Sequence, residues 1–189
     1  RLDPPASEGG ATVPVPELVD GHLPMGRWVC TPEEVEAAFV ALDTGVRGAI
    51  WADWLILKEA LRGALGEVAS CWMAGSFFSD KPVPGDIDCL WVVDGQKLFV
   101  ALNAGNSALS TFLVNCALGK VKAEYGLNID SYMLEWLPTP GPDRLVGARA
   151  YYEDRGYWDN LWVRLRNSDQ RLDSIPRRGY LEVILDGYR

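Results

Sequence analysis

Apolar positions change their period several times along the chain, and each change marks an element. Thr31-Pro32-Glu33-Glu34 opens a helix: Thr31 is a favoured N-cap, Pro32 suits the first helical position, and Glu34 stands where a capping box takes its acceptor. Val35, Phe39 and Leu42 continue at helical spacing towards an end near Thr44-Gly45. Val46–Leu65 is a second helix, with Ile50, Trp54, Leu55, Leu57, Leu61 and Leu65 on one broad stripe. Such a stripe is core packing, and Trp51 and Trp54 read as groups that pack on a sheet. The period then drops to that of strands. Val68–Ala74 and Ile87–Val93 are short apolar runs, the second closed by the turn pair Asp94-Gly95. Leu98–Ala104 is a short helical piece. Asn106–Glu124 reads as one longer helix, with Leu109, Phe112, Leu113, Cys116, Ala117 and Val121 on its apolar face and Gly126 as its stop.

Leu127–Leu137 is the third strand, and its alternation puts Asn128, Asp130 and Tyr132 on one face. Pro138–Asp143 is a loop that ends strand pairing. Leu145–Asp154 has a helical pattern, Tyr157–Arg166 fits strand or helix, and Asn167–Pro176 is polar. Tyr180–Leu185 is a closing strand. The interleaving of these elements predicts an α/β (α+β) domain over residues 21–189: a small mixed sheet with helices packed mainly on one face. Residues 1–20, rich in Pro, Gly and small side chains, are expected to form a poorly ordered arm.

The totals narrow the function. A chain of 189 residues suits one domain with a full core. A formal net charge of −8 disfavours duplex DNA as a partner, although local basic patches leave tRNA open. Cys30, Cys71, Cys89 and Cys116 form no C-x-x-C pair, and three of them sit in apolar runs, so they read as reduced, structural thiols suited to the cytoplasm. No apolar run reaches the length of a membrane span, so no membrane partner is expected. His22, the one histidine, reads as a surface or packing residue.

The chemistry concentrates in Cys71–Asp94. One apolar strand ends in Gly75-Ser76; nine residues, Phe77 to Gly85, follow; then Asp86-Ile87-Asp88 opens the next strand. The period of two turns Asp86 and Asp88 to one face, about 6–7 Å apart at the backbone, where two carboxylates can converge on divalent ions. Gly75 and Ser76 offer backbone N–H groups and a hydroxyl to an anion beside those ions. Asp130 is the acid set into the apolar run of the third strand, on the face it shares with Tyr132. Asp94 is a rival, but its turn position argues against it. Arg164, Arg166, Arg171, Arg177 and Arg178 make the tail the most basic part of an acidic protein, either as a solvated face or as a patch for phosphate.

Gly-Ser, a spacer of this length and Asp-x-Asp on the following strand resemble the signature of the nucleotidyltransferase superfamily. The stretches GHLPMGRWVCTPEEVEAAF, GSFFSDKPVPGDIDCLWVV and RRGYLEVIL are similar to those of small nucleotidyltransferase-like bacterial and phage proteins found near toxin–antitoxin or phage-defence genes. The resemblance covers most of Gly21–Leu185, with the central motif its specific part. It implies the minimal nucleotidyltransferase fold and an NTP held with Mg²⁺ or Mn²⁺ by Asp86, Asp88 and Asp130. It further implies that Gly75 and Ser76 hold the β- and γ-phosphates, and that Lys81 with Arg177 or Arg178 offsets the charge of the leaving pyrophosphate. The acceptor would be a hydroxyl on tRNA or protein, and the partner a cognate antitoxin or similar protein. The alternative is a catalytically silent module on the same fold, an antitoxin, sensor or phage inhibitor. All three carboxylates must converge for the enzyme, whereas a binder tolerates Asp130 facing elsewhere.

Overall fold

A computed structural model describes residues 15–41, 43–137 and 148–188. The Pro138–Asp143 loop, Leu42 and most of the expected arm lie outside the described residues. Five strands form one mixed sheet: β1 (Arg27–Cys30), β2 (Ser70–Ala74), β3 (Ile87–Asp94), β4 (Ile129–Trp136) and β5 (Tyr180–Ile184), in the order β1-β5-β2-β3-β4. β2 and β3 pair antiparallel, β2 and β5 antiparallel, and the outer pairs β1–β5 and β3–β4 run parallel. The expected α+β architecture is the one found.

Alternation divides the sheet into two unlike faces. Cys71, Met73, Ile87, Cys89, Trp91, Val93, Ile129, Leu181 and Val183 point into the main core. Five of the described helices lie on the main-core side. They are α1 (Pro32–Val35), which runs on as a π-helical turn over Glu36–Val40, then α2 (Val46–Leu65), α3 (Gly95–Leu102), α4 (Ser107–Ala117) and α5 (Val121–Tyr125). The capping box at α1 forms as the sequence predicts, with Thr31 N–H donating to Glu34 Oε2 at 2.8 Å and Glu34 N–H to Thr31 Oγ1 at 3.3 Å. Trp51 and Trp54, one helical turn apart, stack at 4.4 Å, and Trp54 stacks in turn on Trp91 of β3 at 5.8 Å. This column of rings ties α2 to the centre of the sheet.

On the other face Trp72, Ala74, Leu90, Val92, Leu134 and Tyr180 meet one long helix, α6 (Ala148–Trp162), through Tyr151, Trp158 and Trp162. The Tyr157–Arg166 ambiguity thus resolves to helix as far as Trp162. A short α7 (Gln170–Asp173) precedes β5.

Three boundaries differ from the sequence reading. Val15 and Leu18 pack against the main core, so the folded chain takes in the last part of the expected arm. Asp94-Gly95 is no simple turn: Asp94 Oδ1 caps α3, accepting from the backbone N–H of Gln96 at 2.8 Å and Lys97 at 3.1 Å. The helix expected over Asn106–Glu124 breaks at Leu118-Gly119-Lys120. There Gly119 takes a φ of +70°, and its N–H donates to Ser131 O of β4 at 2.9 Å. A β-linkage to the neighbouring strand replaces a helical hydrogen bond, and the left-handed backbone favours glycine.

Candidate functional site

The parallel register of β3 and β4 sets Asp88 directly beside Asp130. Both belong to the face shared with α6, and Ala74 of β2 is opposite Asp88 on its other side. The next residue, Gly75, has a φ of +97°, and a Cβ built on it would come 2.5 Å from Asp88 Oδ2. Only glycine lets the loop close over that carboxylate. Gly119 does the same for Asp130: a Cβ there would come 3.1 Å from Asp130 Oδ1 and 3.1 Å from the Tyr132 hydroxyl. Two glycines with left-handed backbone therefore wall the two aspartates.

Electrostatics mark the pair. Burial, reinforced by the charges of Asp86 and Asp130, pushes the Asp88 carboxyl up to about 6, against the pull of Arg178 and Arg166. Burial and the charge of Asp86 also raise Asp130, while a hydrogen bond from Tyr132 O–H to Asp130 Oδ2 at 3.2 Å and the charges of Lys122 and Arg166 act the other way.

The remaining candidates are distributed around this pair. Asp86 lies just before β3, and its Oδ2 is engaged by Lys122 Nζ at 3.0 Å. Among the described residues no group of three or more His, Cys, Asp or Glu side chains is drawn together as a metal cluster. Ser76 follows Gly75 and opens a 3₁₀ turn over Ser76–Phe78. Arg178 is largely buried, donates Nε–H to Trp162 O at 2.9 Å, and acts electrostatically on Asp88. Burial pulls its guanidinium below the usual value while Asp88 supports the charge. Arg177 is turned instead to the main chain, with Nη2 donating to Leu165 O at 2.7 Å. Lys81 is exposed and is not among the charges that bear on Asp88 or Asp130.

The motif loop is held by a residue that the sequence reading missed. Arg47 of α2 donates to the carbonyls of Phe77 at 3.2 Å, Ser79 at 2.9 Å and Lys81 at 2.8 Å. Lys122 was also missed as a group of the site, whereas Arg166 belongs to the basic tail that the sequence reading set out as a solvated face or a patch for phosphate. Lys122 lies in α5, placed by the break at Gly119. The cysteines play no part: all four are free and buried, and burial pushes Cys30 and Cys116 up to about 12. Cys30 and Cys116 therefore stay protonated near neutral pH.

Fold and site together define an α+β protein with a mixed five-stranded sheet and a walled pair of aspartates on one of its faces. The chain belongs to DUF6932, a family of unknown function whose model matches residues 16–184. No curated protein and no solved structure matches the chain. Among the described residues no helix is long and apolar enough to cross a membrane.

Proposed function

We propose that this chain is a metal-dependent nucleotidyltransferase that moves a nucleoside monophosphate from an NTP onto a hydroxyl of RNA or protein. One observation carries the reading: Asp88 and Asp130 stand side by side in register, their carboxyls raised by burial and crowded negative charge. Such a donor set fits a hard divalent cation, which favours oxygen ligands. Asp88 and Asp130 would hold Mg²⁺ or Mn²⁺, with Asp86 joining them on release from Lys122. A bound ion supplies charge neutralisation and activation of the attacking oxygen.

The chain's own groups account for the rest. Gly75 admits the substrate phosphates close to Asp88 because no side chain stands between them, and Ser76 offers its hydroxyl beside them. The acceptor oxygen forms a bond to the α-phosphorus as the bond to the bridging oxygen breaks, and pyrophosphate leaves with the electron pair. Arg178, fixed through Nε to Trp162 O, and Arg166 counter the negative charge that accumulates there. The acceptor hydroxyl's proton passes to Asp130 Oδ1, the oxygen that Tyr132 does not engage.

A silent nucleotide-binding module is the second reading, and the Asp86–Lys122 pair favours it because it diverts one of the three carboxylates. One experiment separates the two. Protein, Mg²⁺ and α-phosphate-labelled NTPs are incubated with tRNA and with cell lysate. Label transferred covalently to RNA or protein, and lost with Asp130→Asn, supports the enzyme. Tight NTP binding with no transfer to any acceptor supports the module. The toxin–antitoxin or phage-defence setting is part of the same proposal, as is a cytoplasmic location, for which the four free buried cysteines argue.

A further inference from the structure

The charge of Asp86 bears on both Asp88 and Asp130, which makes the three carboxylates one electrostatic group. Asp86 is also the one of the three with an ion-paired partner among the described residues, Lys122 Nζ at 3.0 Å. The same ammonium donates to Gly85 O at 3.4 Å, and its charge acts on Asp130 as well. One ammonium is therefore bonded to the motif loop while it acts on an aspartate of β4.

The backbone that carries this ammonium is anchored independently of the motif loop. Gly119 N–H donates to Ser131 O of β4 at 2.9 Å, Lys120 N–H donates to Asn115 O at 3.0 Å, and Val121 is buried in the main core. Lys122 thus keeps its place whether or not Asp86 is engaged. The contact itself is exchangeable. The side chains of Lys122 and Asp86 are 50% and 36% exposed, and so open an ion pair is weak. A divalent ion that met all three carboxylates would outcompete a single ammonium for Asp86.

We propose that Lys122 is the resident counter-ion of this site and is exchanged on loading: Asp86 turns from the ammonium to the divalent ion, and the freed ammonium turns to a phosphate oxygen of the NTP. The assignment rests on the nucleotidyltransferase reading. It gives Lys122 the role that the sequence pattern offered to Lys81. It also makes the Asp86–Lys122 pair the resting state of a working site rather than the mark of a silent one. The two ligands are thereby coupled, since the ion breaks the pair and the phosphate takes up the ammonium set free.

The test is a pair of calorimetric titrations on the full chain, one of Mn²⁺ alone and one of inorganic tripolyphosphate at saturating Mg²⁺. Lys122→Gln should bind Mn²⁺ alone about fivefold tighter than the wild type, the factor that an exposed ion pair can contribute. It should bind tripolyphosphate about fivefold more weakly. Lys122→Arg keeps the charge and should stay near the wild type in both titrations. Lys120→Gln removes an exposed charge two residues away and should move neither. Circular dichroism checks that each variant is folded, and Lys122→Met replaces Lys122→Gln if that one is not. Opposite shifts confined to position 122 are the expected result, because a loss of structure would weaken both ligands together. Affinities that are unchanged in Lys122→Gln, that shift in the same direction, or that shift equally in Lys120→Gln overturn the exchange and leave the metal site standing. If the wild type and the variants bind neither Mn²⁺ nor tripolyphosphate, the nucleotidyltransferase reading falls and the exchange falls with it.

Discussion

The two faces of the sheet are built from the same five strands and have opposite characters. The face towards α1–α5 is almost purely apolar, with Trp51, Trp54 and Trp91 stacked through it. The face towards α6 mixes rings with charge: Asp88, Asp130, the buried Glu182, Arg178, and Arg27 and Arg155 over the Trp72 ring at 5.2 and 5.5 Å. Glu182 is satisfied by Ser70 at 3.2 Å, by Arg27 at 3.2 Å and by Tyr188, so its charge is compensated. Asp88 has no hydrogen-bonded or ion-paired partner of that kind among the described residues, only the charges of Arg178 and Arg166 nearby. The comparison separates two kinds of buried polarity: at Glu182 it closes a network, and at Asp88 it leaves a carboxyl raised by burial and neighbouring acids.

Substitutions on the two faces should therefore behave differently. The largest effect belongs to the apolar side. Trp54→Ala removes the middle ring of the stack and should cost about 3–5 kcal/mol, read in denaturant unfolding, with nucleotide affinity unchanged while the protein remains folded. Asp88→Asn should do the reverse. It should abolish the stabilisation that Mg²⁺ and NTP give the wild type, about 2.7 kcal/mol at a hundredfold excess over Kd, yet leave the metal-free protein at least as stable, since one repelling charge is gone. Thermal unfolding with and without ligand reads both at once. A wild type insensitive to every NTP, together with an Asp88→Asn variant that is merely destabilised, would sink the proposed function.

The pH response comes next in size. The Asp88 carboxyl stands at about 6 in the folded protein, and near 4 in an unfolded chain. Between those values the native state retains a proton that the unfolded state has released. Metal-free stability should therefore fall as pH rises from about 4 to about 6, by at most about 3 kcal/mol, and then level off. Asp130, shifted in the same direction, steepens the fall. Denaturant midpoints across this range should show the slope in the wild type and most of it gone in Asp88→Asn. The smallest effect concerns the margin of the main core: Leu18→Ala should cost about 1 kcal/mol, or roughly 2–4 °C in Tm, because Leu18 is only half-buried against it. An unchanged Tm would show that the residues before Gly21 add nothing to the fold.

What was legible in the sequence followed from local rules. Period two placed Asp130 and Tyr132 on one face, and the Thr31 capping box and the α2 stripe needed only neighbours along the chain. The pairing of Asp88 with Asp130 depends on the register of two strands separated by three helices, which no local pattern encodes. The break at Gly119 was hidden because its cause, Ser131 O, lies on another element. Nothing in the α2 pattern singles out Arg47, and its role appears only where the loop carbonyls meet it. Arg177 and Arg178 are alike in sequence, yet one turns to Leu165 O and the other to Trp162 O, within the field of Asp88.

The strand order has a consequence for synthesis on the ribosome. β5 is the last of the five described strands along the chain, yet it lies second in the sheet, between β1 and β2. Until Tyr180–Ile184 emerge, β1 has no partner and β2 has a bare edge, a template for pairing with another chain. Arg178, two residues ahead of β5, arrives at the same late moment. The nascent chain therefore carries both aspartates, Lys122 and Arg166 before it gains Arg178, the second arginine that bears on Asp88. A ribosome that stalls before residue 180 therefore leaves a fragment with an open sheet edge and a tendency to aggregate.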